Sequence, residues 1–278
     1  MILLLQKLKN MKTEFTTQEV FTEDNYFKPF GNKTKAHSHN LSEYFRKIYS
    51  QTYEDSVLEH LYSIIPSRRN YYVEFGGVMG ECHGNTTHLK NNGWSGLLMD
   101  GNEKAIQSSG IDIKHEWITS KNIMELFQKY DVPYDFDLLS IDVDGDDIYI
   151  FNAIDTQKYI PSVVVGEYNP GLPNHLPLAI VEGKSDYGND PFIPKNGFFP
   201  SYHGCNINAW YTVGKRKGYS IVTCCGVNVI MIRDDYIDNF KIPSLEDVVL
   251  PPYMQQEEHR FYGPMNNFDE KFVWKLIK

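Results

Sequence analysis

Four carboxylates fall within six residues, Asp142, Asp144, Asp146 and Asp147, in the run Leu139-Ser140-Ile141-Asp142-Val143-Asp144-Gly145-Asp146-Asp147. The apolar residues before Asp142 read as a buried strand. The acids then stand at its carboxyl end, the edge at which open α/β sheets bind ligands. Like charges this close need cations, hydrogen bonds or solvent to compensate them. Glu167 and Asn169 follow a second apolar run, Ser162-Val163-Val164-Val165-Gly166, and are expected at the same edge. The oxygen-rich set Asp142, Asp144, Glu167 and Asn169 suits Mg2+, Ca2+ or Mn2+ better than zinc. Asp142 is placed to be a metal ligand, a substrate contact or a proton acceptor. Asp146 and Asp147 are placed to open the next helix, where negative charge is favourable. The spacing is not that of an EF-hand. It lacks the glycine at the sixth loop position and the glutamate at the twelfth, where Ala153 stands.

A second constellation begins at Tyr71-Tyr72-Val73-Glu74-Phe75-Gly76-Gly77-Val78-Met79-Gly80, an apolar strand running into a glycine-rich turn. A further apolar run, Gly96-Leu97-Leu98-Met99, ends in Asp100. In an open α/β sheet, glycines of this kind let the backbone approach a nucleoside cofactor, and an acid at the tip of the next strand accepts hydrogen bonds from ribose hydroxyls. Two histidines, His175 and His203, lie on a long Pro-, Gly- and Asn-rich segment at 168–204 and are candidates for a general base. Segments of this length are commonly binding loops or lids.

The elements that must position these groups follow from periodicity. Leu41, Tyr44, Phe45, Ile48 and Tyr49 recur at helical spacing with Ser42 as a cap, and a second helix is expected over 57–65, ending at Pro66. Strands are expected over 71–75, 95–100, 111–118, 136–142 and 162–167. Helices are expected between them over about 82–92, from 120, and over 147–154. A helix at about 205–217 precedes an antiparallel pair, 219–225 and 227–233. Strand–helix alternation predicts an α/β, Rossmann-like, doubly wound and mostly parallel seven-stranded sheet with an antiparallel C-terminal hairpin strand and a helical N-terminal extension. The chain divides into an arm and helices (1–66), the ligand-binding domain (67–239), and a tail rich in prolines and aromatics (240–278). The tail is suited to packing on the domain or on a partner subunit in a homo-oligomer.

The bulk composition removes some classes. The formal charge of −9 on 278 residues argues against a nucleic-acid backbone as partner. No apolar run reaches the length of a membrane span. Cys82, Cys205, Cys224 and Cys225 lack zinc-site spacing and read as reduced thiols, which predicts a cytoplasmic protein.

Over about residues 70–235 the chain resembles class I S-adenosylmethionine-dependent methyltransferases. Glu74, Gly76, Gly77 and Gly80 resemble their first motif, with Val78 in place of the middle glycine of the fuller pattern. The resemblance implies that Asp100 grips the ribose. It further implies that Ile118, Ser120 and Asn122 frame the adenine and that Asp142 supplies a cofactor-side or catalytic residue. Within the class, Leu139–Asp147 and Val165-Gly166-Glu167-Tyr168-Asn169-Pro170 are most similar to FkbM-like and macrocin-type sugar O-methyltransferases. Macrocin-type enzymes hold a divalent cation on acids at the ends of strands four and five, and the resemblance implies Mg2+ at that place in this chain. Tyr168 or Asn169 stands where the second acid of that pair would be. The implied activity is S-adenosylmethionine-dependent O-methylation of a sugar, glycan or other small hydroxylated acceptor. Two rival readings are a methyltransferase-like binding scaffold without turnover and an NAD-linked enzyme. The latter fits less well because a clean G-x-G-x-x-G is missing.

Overall fold

β1 (Tyr71–Gly76) is an inner strand of a seven-stranded sheet. It pairs in parallel with β2 (Ser95–Asp100) on one side and β4 (Leu138–Asp142) on the other. The computed structural model describes residues 41, 44–76, 84–169, 176–185, 203–245 and 274–276. β3 (Lys114–His115) adds to β2, and β5 (Val163–Glu167) adds to β4, both in parallel. β8 (Asn228–Arg233) then joins β5 antiparallel, and β7 (Tyr219–Cys225) closes the order 3-2-1-4-5-8-7 as the partner of β8. This is the α/β, Rossmann-like sheet with an antiparallel hairpin end.

Each inner strand is apolar on both faces, as a strand covered by helices must be. Alternate residues feed two cores. Val73, Phe75, Leu139, Ile141 and Val164 pack against α4 (Ile123–Lys129), α5 (Asp147–Ala153) and α6 (Ile207–Lys217). Tyr72, Leu138, Val163, Val165 and Ile230 pack against α1 (Glu54–Ile64) through Val57, Leu58 and Leu61. Two shorter helices, α2 (Thr87–Asn91) and α3 (Glu103–Ser109), complete the crossovers.

The register is set at the amino edge of the sheet by Asp137. Its carboxylate accepts from the backbone N–H groups of Arg68 (2.6 Å), Arg69 (2.9 Å) and Tyr71 (3.1 Å). Its carbonyl accepts from Ser162 and Val163 and from the hydroxyl of Tyr62. One residue thereby ties down the starts of β1, β4 and β5.

Four local expectations are corrected. The helical spacing at 41–49 produces no α-helix among the described residues there. The N–H of Arg46 goes to Ser56 Oγ (2.9 Å), and those of Tyr49 and Ser50 go to Asp55 Oδ2 (both 2.6 Å), so side chains of α1 take the bonds a helix would have used. The strand expected over 111–118 pairs only at Lys114–His115. The helix expected at 82–92 spans Thr87–Asn91 among the described residues. The 168–204 segment is not wholly irregular. It contains β6 (Leu178–Ile180), which pairs antiparallel with β9 (Trp274–Leu276) at the other end of the chain. The arm at 1–40 lies outside the described residues. Among the described residues no helix is long and apolar enough to cross a membrane.

Candidate functional site

Strand register places the candidate residues side by side. Asp100 pairs with His115, Gly76 with Asp142, and Glu167 with Asn228. Phe75 pairs with Met99 and Ile141 with Gly166, so one step further along brings Gly76 level with Asp100, and Asp142 level with Glu167. A single row, Asp100–Gly76–Asp142–Glu167–Asn228, therefore crosses the carboxyl ends of β2, β1, β4 and β5 and the amino end of the antiparallel β8. Side-chain alternation puts this row on the face covered by α1.

Gly76 is required there. Its φ is +70°, and a Cβ on it would lie 1.4 Å from the carbonyl oxygen of Asp142. Only glycine lets the ends of β1 and β4 come this close. Gly77 and Gly80 lie outside the described residues, as does His175.

Beyond β4 the chain turns sharply. Asp144 adopts a left-handed conformation (φ 57°), which aspartate tolerates better than most residues. Asp147 stabilises the turn from the start of α5, accepting from the N–H groups of Val143 (3.0 Å) and Gly145 (2.9 Å). It thus has the structural role expected of a residue opening that helix. Burial raises its pKa to about 7. Asp146 turns outward and accepts from Gly183 N–H with both oxygens at 3.0 Å.

The turn gathers Asp142, Asp144 and Glu167. One oxygen from each lies within 4.8 Å of the others, with Asp144 exposed and the other two half-buried. Burial and then the neighbouring acids push the Asp142 and Glu167 pKa values well above the usual carboxylate range. Asp144 shifts upward for the same reasons, with Asp100 as its charged neighbour. Among the described residues no lysine or arginine pairs with any of the three. Glu167 Oε2 is buried and has no hydrogen-bond partner. An orphaned carboxylate oxygen beside two further acids is a donor set that fits a hard divalent cation. Asn169, also expected in this set, is buried and donates from Nδ2 to the carbonyl of His203 (3.1 Å).

His203 is held over the cluster, its Nε2 3.9 Å from Glu167 Oε2. Burial lowers its pKa to about 4, so the imidazole is neutral near pH 7. Glu74 is buried, and its pKa is raised by that burial. It accepts from Asn85 N–H (2.7 Å) and from the Thr86 hydroxyl, so it anchors the chain where it re-emerges before α2. Asn85 also donates to Ser140 Oγ on β4 (3.1 Å).

The residues expected around an adenine have the following partners. Ile118 is core. Asn122 is engaged locally, accepting from Thr119 N–H (2.8 Å) and donating to the carbonyl of Trp117 (2.8 Å). The hydroxyl of Ser120 donates to Glu182. Asp100 accepts from Asn102 N–H (2.6 Å) with one oxygen. Trp117 was not among the sequence candidates. Its side chain is 77% exposed, yet a Cβ on Gly101 would lie 2.7 Å from its ring, so the indole rests beside the strand end that carries Asp100. An exposed tryptophan has no periodic signature, and only its proximity to Asp100 sets it apart. Glu54 was also missed. It is buried at the start of α1 and accepts from Asn228 Nδ2 (2.9 Å), which extends the acidic wall beyond Glu167.

Comparison of the sequence with protein-family models and with curated proteins gives no match.

Proposed function

We propose that the protein is an S-adenosylmethionine-dependent O-methyltransferase acting on a small hydroxylated acceptor such as a sugar or glycan, with a divalent cation assisting. The observation that carries this reading is the charge of the row. Asp100, Asp142, Asp144 and Glu167 converge on one sheet edge, flanked by buried Glu54 and Glu74, and no lysine or arginine among the described residues pairs with the central three. A dinucleotide would bring a pyrophosphate, with two negative charges, into this field. S-adenosylmethionine brings a positively charged sulfonium and ammonium. The acidic edge favours the second ligand and opposes the first. The order of five parallel strands closed by an antiparallel hairpin agrees with the class that the motifs resemble.

S-adenosylmethionine supplies an electrophilic methyl group. Mg2+ held by Asp142, Asp144 and Glu167 would lower the pKa of an acceptor hydroxyl. The chain's own residues do the rest. Gly76 lets the ends of β1 and β4 close together and so sets Asp142 in place. Asp100 offers its second oxygen to a diol. Asp142 is either a ligand of that cation or, without it, a proton acceptor: in the metal-free cluster burial pushes its pKa upward from the carboxylate range, whereas that of His203 is pushed down to about 4. Neutral, buried His203 lies beside Glu167, with Nε2 3.9 Å from Oε2.

Thermal-shift titration tests the reading. S-adenosylhomocysteine should raise the melting temperature of the wild type and leave Asp100→Ala unmoved. Stabilisation by NAD alone would refute the proposal. Stabilisation by S-adenosylhomocysteine with no methyl transfer to any hydroxylated acceptor would leave a binding scaffold.

A further inference from the structure

We propose that residues 178–185 form a strap across the acidic turn and that the C-terminal strand β9 is its latch. This inference concerns access to the site and does not depend on the reaction carried out there.

The strap has three anchors on the site. The Ser120 hydroxyl is bonded to Glu182. Gly183 N–H donates to both oxygens of Asp146 at 3.0 Å. Ser185 lies against Gly145, so closely that a Cβ on that glycine would be 2.4 Å from Ser185 Cβ and Oγ. The strap thus runs from the residue expected beside an adenine to the middle of the turn that carries Asp144. Tyr149, from α5, steadies its root by donating to the carbonyl of Ile180 (2.7 Å).

The root of the strap is β6, three residues long. One side of β6 is held by 204–206. Asn206 N–H donates to the Leu178 carbonyl and Ile180 N–H to the Gly204 carbonyl, both at 2.9 Å. Backbone groups alternate sides along an antiparallel strand. Leu178 and Ile180 face 204–206, so the N–H and C=O of Ala179 face the other way, toward Lys275 of β9. A three-residue strand pairing on one side only is marginal in water. Docking of β9 therefore closes both sides of the root and holds the strap down. Removal of β9 leaves the two backbone groups of Ala179 without their strand partner and the root held on one side only, by 204–206 and Tyr149.

Hydrogen–deuterium exchange on the whole protein and on a chain ending at residue 273 tests the latch. The amides of Ala179 and Gly183 should exchange at least about tenfold faster in the shortened chain, while those of Leu139 and Val164 in the sheet core stay unchanged. A peptide of residues 270–278 added in trans should restore protection at Ala179, because strand pairing needs backbone groups and not covalent continuity. Lys275→Pro keeps the chain at full length and removes the N–H opposite Ala179, so it should match the truncation, and Lys275→Ala should match the wild type. Equal exchange at Ala179 in the long and short chains would overturn the proposal. So would a parallel rise at Leu139 and Val164, which would make the tail a support of the whole fold. Titration of both chains with S-adenosylhomocysteine separates this result from the cofactor reading. Binding to neither chain would refute that reading and leave the latch to be judged on Ala179.

Discussion

Replacing Glu167 with glutamine should stabilise the metal-free protein and abolish its response to Mg2+. The substitution removes one charge from three carboxylates whose oxygens lie within 4.8 Å of one another. Two unit charges at that separation repel by about 3.5 kcal/mol at an effective dielectric constant of about 20. The raised pKa values of Asp142 and Glu167 mean that proton uptake already relieves part of this repulsion. A net gain of about 1 to 2 kcal/mol remains, or roughly 2 to 3 °C in melting temperature for a chain of this size. The amide keeps the volume of the acid, so no cavity offsets the gain. The cation reverses the order. At a concentration about ten times its Kd, Mg2+ should stabilise the wild type by about 1.4 kcal/mol and the variant by almost nothing. Scanning calorimetry in a chelator and then in Mg2+ reads both effects. A variant that melts below the wild type in the chelator would show that the three acids are not in conflict. An equal Mg2+ response in both proteins would show that they do not share a cation.

Two further substitutions probe the frame and the titration of a group remote from the row. Gly76→Ala, with a Cβ placed 1.4 Å from the Asp142 carbonyl oxygen at a φ of +70°, should cost at least about 3 kcal/mol, read as a lower denaturation midpoint. A midpoint equal to wild type would mean that β1 and β4 do not close in solution. Lys217 is half-buried, donates to the Ile154 carbonyl (2.5 Å), and has its pKa lowered by burial from 10.5 to about 8. Between those values the unfolded chain holds a proton that the folded chain has lost, so this group makes stability rise with pH. The stability of wild type relative to Lys217→Met should therefore increase by about 1 to 2 kcal/mol between about pH 7.5 and about pH 10, after discounting for partial exposure. Urea melts of both proteins at the two pH values check the sign, and a constant difference would refute it.

The sheet was legible because buried parallel strands announce themselves as apolar runs. Tyr71–Gly76, Ser95–Asp100, Leu138–Asp142 and Val163–Glu167 all lie where such runs place them. The convergence of Asp142, Asp144 and Glu167 was legible for the same reason, since residues ending neighbouring strands must meet at one edge. Other features depended on partners far along the chain. Tyr44 and Tyr49 carry a helical spacing, but the acceptors of that segment's N–H groups are Asp55 and Ser56. β6 is three residues long and pairs with a strand almost a hundred positions away, a contact that no local pattern encodes. The partners of Glu74 were not legible either: its carboxylate, aligned by resemblance with the cofactor, is bonded to Asn85 and Thr86, a pairing that no motif encodes.

The many bonds to Asp137 have a consequence for the opposite end of the sheet. Each strand has its length measured from a common origin, because one side chain and one carbonyl fix where β1, β4 and β5 set out. Roughly 17 Å later, at about 3.3 Å per residue, those strands finish in step. The alignment of Gly76, Asp142 and Glu167 is inherited from that shared start. A slip of one residue there would turn Asp142 to the far side of the sheet, toward Phe127 and Phe151, and separate it from Glu167. The chemistry at one rim is thus calibrated by a residue that never touches it.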